Sequence, residues 1–129
     1  MSFTAKFNQY GAYRKFSDHV TMGELLGSLT EVQSHHHYES FWYSIVDFMD
    51  VKTYDFSEFD FLTYRAQVRG GEYLNTRMIS GLVVTDPAIL ELLKTRYEAF
   101  TRYQVAYFPT FEACKEWVEK TTSKPVLID

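Results

Sequence analysis

A mixed, mostly parallel α/β sheet in a single domain spanning residues 1–129 is what this sequence predicts, on three observations. Strand-like and helix-like runs alternate along the chain, the order that builds βαβ units. The run from Phe41 to Val46 is apolar almost without a break, as suits a strand covered on both faces. Each helical run opens on a hydroxyl or carboxylate residue that can cap it.

Residues 3–8 and 12–17 read as a hairpin around the turn Asn8-Gln9-Tyr10-Gly11, with Gly11 supplying the permissive backbone. Thr21 and Glu24 have the spacing of a capping box. Met22, Leu25, Leu26, Leu29 and Val32 then recur at helical intervals until the pattern fades near Gln33-Ser34. After the central apolar strand, Ser57 with Asp60 caps a second helix that should run to Arg69 and stop at Gly70-Gly71. Residues 77–84 form the next strand. Asp86 and Pro87 open a third helix whose apolar face carries Ile89, Leu92, Leu93, Tyr97 and Phe100. Residues 103–108 are the last strand, and Thr110 starts a helix bearing Phe111, Ala113, Cys114, Trp117 and Val118. The closing "TTSKPVLID" could add a short extended piece. The predicted order is β-β-α-β-α-β-α-β-α, with right-handed crossovers and an antiparallel hairpin at one edge.

Composition narrows the function. The net charge is −4 and the thirteen Lys and Arg are scattered, unlike the basic stripe of a nucleic-acid binder. One cysteine, Cys114, excludes an intrachain disulfide and any Cys-x-x-Cys zinc site. No apolar stretch approaches the roughly 20 residues of a membrane span, and a reducing cytoplasm is the expected location. There is no Gly-x-Ser-x-Gly, P-loop or dinucleotide fingerprint, so neither an enzyme nor a cofactor is expected.

The candidate sites are few. His35-His36-His37 point in different directions on any regular element and lack the i, i+4 spacing of metal ligands, so they read as a connector rather than a metal centre. Asp47, Asp50 and Asp55 follow the central strand at the carboxyl edge of the sheet, where α/β proteins place ligands; they could bind a cation, but more often such residues solvate a loop and favour the next helix N-terminus. On the second helix Phe59, Leu62 and Ala66 share one face and Phe61, Tyr64 and Val68 another. One face can cover the sheet. The other, taken as Phe61, Tyr64 and Val68, is the candidate interaction face and the reason to expect a partner protein or a homodimer. Cys114 on an apolar stripe reads as core.

From about residue 12 to 120 the chain resembles the STAS superfamily, and more narrowly the small SpoIIAA-like bacterial proteins of uncharacterised function. "HVTMGELL", "SIVDFMD", "RMISGLVVTDPAILELLKTRYEAF" and "VAYFPTFEACKEWVEK" carry the resemblance. It implies a STAS-like regulatory module that acts by binding a protein, without a cofactor. Antagonists of this fold carry an Asp-Ser-[Ser/Thr]-Gly-like segment whose serine a partner kinase phosphorylates. Here the corresponding stretch is "DVKTYDFSEFD", with Ser57, and then Thr53, as the candidate phosphoacceptors; the glycine and the second hydroxyl are missing. The role of helix cap alone explains Ser57 without any regulation, and is the preferred reading. A relation in fold to lipid-carrying Sec14-like domains keeps open a second reading, a carrier or sensor of an apolar, lipid-like small molecule.

Overall fold

A computed structural model describes residues 2–126, with backbone alone at 58–60. Five strands form one sheet in the order β1-β2-β3-β4-β5: β1 Phe3–Asn8, β2 Gly11–Thr21, β3 Tyr43–Asp55, β4 Ile79–Val83 and β5 Gln104–Phe108. β1 pairs antiparallel with β2, and every other pairing is parallel. Four α-helices connect or follow them: α1 Met22–Gln33, α2 Glu58–Leu74, α3 Pro87–Leu93 and α4 Phe111–Thr122. The predicted order of elements is the observed one.

Local chemistry explains the starts. The Asn8 side-chain oxygen accepts from the amides of Tyr10 (2.8 Å) and Gly11 (3.0 Å), which closes the β1–β2 turn. A Cβ on Gly11 would lie 2.5 Å from the Tyr43 ring, so the turn also needs glycine for close approach. Asp86 accepts from the amides of Ala88 and Ile89, and Thr110 from that of Ala113.

At α1 the capping box is complete. The Glu24 amide donates to the Thr21 hydroxyl, and the Thr21 amide donates to the Glu24 carboxylate, both at 3.2 Å. The Ser2 amide adds a third bond to Glu24 at 2.8 Å. The Ser2 hydroxyl and amide, with Thr21, hold the Glu24 carboxyl down at about 2. A carboxylate depressed in the folded state stabilises fully above its unfolded value, 4.5, and loses that contribution as pH falls towards 2. Glu24→Ala is therefore expected to cost about 1 kcal/mol at neutral pH. The gap from the parent should close on acidification to pH 2, as read by urea melts at the two pH values.

The two faces of the sheet have separate covers. Phe16, Val46, Phe48, Leu82 and Val84 point towards α1, α2 and α3, joined by Met22, Leu25, Phe61 and Ile89. Tyr43, Ile45, Ile79 and Val83 point the other way, against Cys114 and Val118 of α4 and the buried Val126. Three connections advancing in one direction with one hand place three helices on one face, leaving the other for α4. A third cluster, around Val32, Tyr38, Phe41 and Met78, closes the amino end of the sheet.

Three expectations need correction or completion. β3 runs eight residues beyond its pairing with β4, which ends at Asp47–Val83. From Asp50 to Asp55 it pairs with β2 alone, and two bulges let the ribbon curl over the apolar layer through Val51 and Tyr54. Second, α2 does not stop at Gly70-Gly71 but continues to Leu74. Gly71 serves close packing instead: a Cβ there would collide with the Gln33 side chain and lie 2.6 Å from the Tyr38 hydroxyl, which donates to the Gly71 carbonyl at 3.0 Å. Third, the helix begun by Asp86 changes after Leu93 into a π-helical turn, Lys94–Glu98, which carries Tyr97. Asp60 as a cap partner, Phe59 as a face residue and the extreme tail beyond 126 fall outside what is described.

Candidate functional site

At the carboxyl edge of the sheet the acidic residues separate. Asp47 is not a solvated loop residue. It is buried within β3, where it accepts from the Tyr13 hydroxyl (2.8 Å) and the Met49 amide (2.9 Å). Burial and the Asp47 carboxylate together push the Tyr13 phenol well above its usual range. Asp50 forms a solvent-exposed pair with Lys15 at 3.1 Å, and Asp55 ends the ribbon, exposed. Among the described residues no group of three His, Cys, Asp or Glu side chains is arranged to hold a metal ion. Thr53 lies 2.7 Å from Nδ1 of His19 across the ribbon. Ser57 is exposed at the residue before α2 begins.

The helix α2 has the opposite phase from the one expected. Phe61 and Val68 are buried and Tyr64 half-buried, so this is the face that covers the sheet. Leu62 (56% exposed) and Tyr73 (75%) share the outward line of the helix with Ala66 and Arg69, and Leu74 is exposed beside them. The sequence offered two apolar stripes on one helix. The sheet selects the stripe whose rings meet Phe56 and Tyr97, with Phe61 edge-on to Phe56 and Tyr64 edge-on to Tyr97.

In the histidine connector, His35 packs against the β1 strand. The His35 ring stacks on Phe7 at 4.5 Å, and its Nδ1 accepts from the His37 amide. Burial, then its two histidine neighbours, holds its pKa below the ordinary value. Asn75, buried, fixes the turn that follows by donating to the carbonyls of Tyr38 (2.8 Å) and Phe41 (2.9 Å). Cys114 is fully buried, and desolvation with the nearby Asp47 charge raises its thiol to about 12, far from a nucleophile's range.

Sequence reasoning missed a buried polar layer. Arg14, only 4% exposed, donates to the Ser28 hydroxyl at 3.0 Å and is 3.4 Å from the Ser44 hydroxyl. Its Nε has no partner, and among the described residues no carboxylate lies within 4 Å of it. Beside it, the Tyr97 hydroxyl donates to Ser80 at 2.9 Å. The signal was present in "AYRKF", where alternation puts Arg14 between the core positions Ala12 and Phe16. Between α2 and the π-helical turn a pocket of about 220 Å³ opens, lined by Tyr64, Val68, Tyr97 and Phe100 with Arg65, Arg69 and Arg96 on its walls. The clefts beneath it, on either side of Arg14, are about 20 Å³ each.

No protein-family model matches the chain, and no curated protein matches it at a significant level. Solved structures do match. The anti-sigma factor antagonist SpoIIAA in its unphosphorylated form superposes with a TM-score of 0.60 over 95% of this chain and 99% of its own, at 9% identity. SpoIIAA in the phosphorylated form, described as a Bacillus cell fate determinant, gives 0.61 over 90% and 98%, at 10% identity. The chain has the SpoIIAA, STAS-like fold. No helix among the described residues is long and apolar enough to cross a membrane.

Proposed function

We propose that this chain is a non-catalytic regulatory module that works by contact with another protein. The observation that carries this reading is the match to an anti-sigma factor antagonist over nearly the whole of both chains. The side chains agree with it. The one cysteine is inert, the edge carboxylates are dispersed, and His35 is packed against Phe7. The outward line of α2 supplies a contact surface: Leu62, Tyr73 and Leu74 expose apolar area that the sheet does not use. Ser57 belongs to this reading as the cap of α2. Its near neighbour Asp55 adds negative charge, where a phosphate is better received by arginine.

A carrier of an apolar molecule would need an enclosed apolar cavity. The cleft between Phe48, Phe61, Ile89 and Leu92 has only about 30 Å³, room for one or two waters, and the 220 Å³ pocket above Tyr64 and Tyr97 is walled by three arginines, which does not suit a wholly apolar cargo. The contact reading is tested by Leu62→Glu with Tyr73→Glu. Both positions are solvent-facing, so the thermal midpoint should stay within a few degrees. A partner cross-linked to the parent protein in its own cells should be lost, with recovery falling about tenfold or more. Sedimentation of the same pair separates self-association from a foreign partner, since a homodimer would shift to monomer. Undiminished capture of the same partner, with no change in sedimentation, would overturn the assignment of this face.

A further inference from the structure

The pocket between α2 and the π-helical turn is basic in an acidic protein. Three arginines, Arg65, Arg69 and Arg96, stand on its walls, and no carboxylate side chain lines it. Arg69 is shared with the buried Glu72, 3.4 Å from its Nε. The guanidinium carbon of Arg65 stands 3.7 Å over the centre of the Phe100 ring, a cation–π contact, and its Nε is buried without a hydrogen-bond partner. The floor is apolar and aromatic: Tyr64, Val68 and Tyr97. The same three residues form the roof over the clefts beside Arg14, so a second, buried guanidinium sits behind the floor. Arg14 meets hydroxyls and no described carboxylate within 4 Å, so its charge is uncompensated in the interior. Two tiers of positive charge, one on the wall and one below, make the pocket attractive to an anion and disfavour a cation. The wide backbone of a π-turn is a feature often found at functional sites, and here it carries both Arg96 and Tyr97.

We propose that this pocket binds a small organic anion. Its carboxylate or phosphate head meets Arg65 and Arg96, and its apolar body lies on Tyr64, Val68, Tyr97 and Phe100. Planar guanidinium groups recognise both heads by paired hydrogen bonds, and the volume suits a molecule of modest size. Arg69 stands both on this pocket's wall and on the outward line of α2, but Leu62, Tyr73 and Leu74 do not line the pocket, so either proposal can fail without the other.

The test uses octanoate, octyl phosphate, octanol and inorganic phosphate, each titrated into the full chain and followed by amide chemical shifts. Octanoate or octyl phosphate should bind, and shifts should centre on residues 64–69 and 96–101. Octanol and inorganic phosphate should each bind at least about tenfold more weakly, since each lacks one half of the interaction. Which of the two acids binds more tightly identifies the head group. Arg65→Gln with Arg96→Gln should lower octanoate and octyl phosphate to the level of octanol while the remaining spectrum stays folded. Arg14→Met, which removes a buried charge without removing volume, should leave the unliganded protein as stable as the parent or more so and weaken anion binding several-fold. Equal binding of octanol and octanoate, tight binding of phosphate alone, indifference to the double arginine substitution, or no binding at millimolar concentration would each overturn the proposal.

Discussion

Gly81→Ala is expected to destabilise the protein by about 3 kcal/mol, the upper end of what overpacking a core costs. Gly81 lies in the middle of β4, paired with Ile45 on one side and Ala106 on the other. A Cβ there would stand 2.5 Å from the Cys114 sulfur, with Trp117 at 3.6 Å behind it. The sulfur is only two bonds from the α4 backbone, and α4 is held at Thr110 by its cap and at Val118 by full burial. Neither strand nor helix can yield without disturbing the layer on that face. A double-mutant cycle checks this. Cys114→Ala alone removes a small buried group and should cost little, about 1 kcal/mol. Combined with Gly81→Ala it should recover 1–2 kcal/mol, about the coupling of residues in direct contact. Additive losses in guanidinium melts would mean that the sulfur is not the obstacle.

Asn75→Leu should cost about 2–3 kcal/mol, because it leaves the buried Phe41 carbonyl without its donor and the Tyr38 carbonyl with the Phe41 amide alone. Asn75 also accepts from the Arg77 amide at 3.1 Å, and its own carbonyl accepts from the Tyr103 hydroxyl at 2.7 Å. The side chain thus ties the end of α2 to the connector ahead of β3, and the backbone carbonyl of the same residue ties it to the approach to β5. The loss should show as a lower denaturation midpoint with unchanged slope and faster amide exchange at Phe41 and Trp42. A cost below about 0.5 kcal/mol would mean that water takes over both acceptors.

These two positions show where sequence reading reaches its limit. The capping box at Thr21-Glu24, the Asp86-Pro87 start and the Asn8–Gly11 turn are written within four residues of chain, and all were legible. Gly70-Gly71 was equally local and misled. Its usual meaning, a helix stop, is overridden by Gln33 and Tyr38 pressing on the helix from elsewhere in the chain. The phase of α2 was undetermined for the same reason, since two apolar stripes compete and only the sheet decides between them. The exposed apolar residues of α2 are accordingly Leu62, Tyr73 and Leu74, not Phe61, Tyr64 and Val68. The arginine pocket draws on residues about thirty positions apart, on two elements, and no short pattern announces it. Ser57, Thr53 and Asp55 stayed at the exposed edge where they were expected, while Asp47 went inside because its strand alternation puts it against Tyr13 and α4.

The strand order β1-β2-β3-β4-β5 is the order of the chain itself. Each strand therefore finds its partner in the piece of sheet made just before it. The connections closed on the way, 22–42, 56–78 and 84–103, are of nearly equal length. Loop-closure entropy is then met in similar small instalments, not in one large step that joins distant ends. No strand must be held open for a later one to insert between its neighbours. A chain emerging residue by residue from its amino end can lay down the sheet from the β1 edge to the other, so that only one edge, the growing one, changes at any moment.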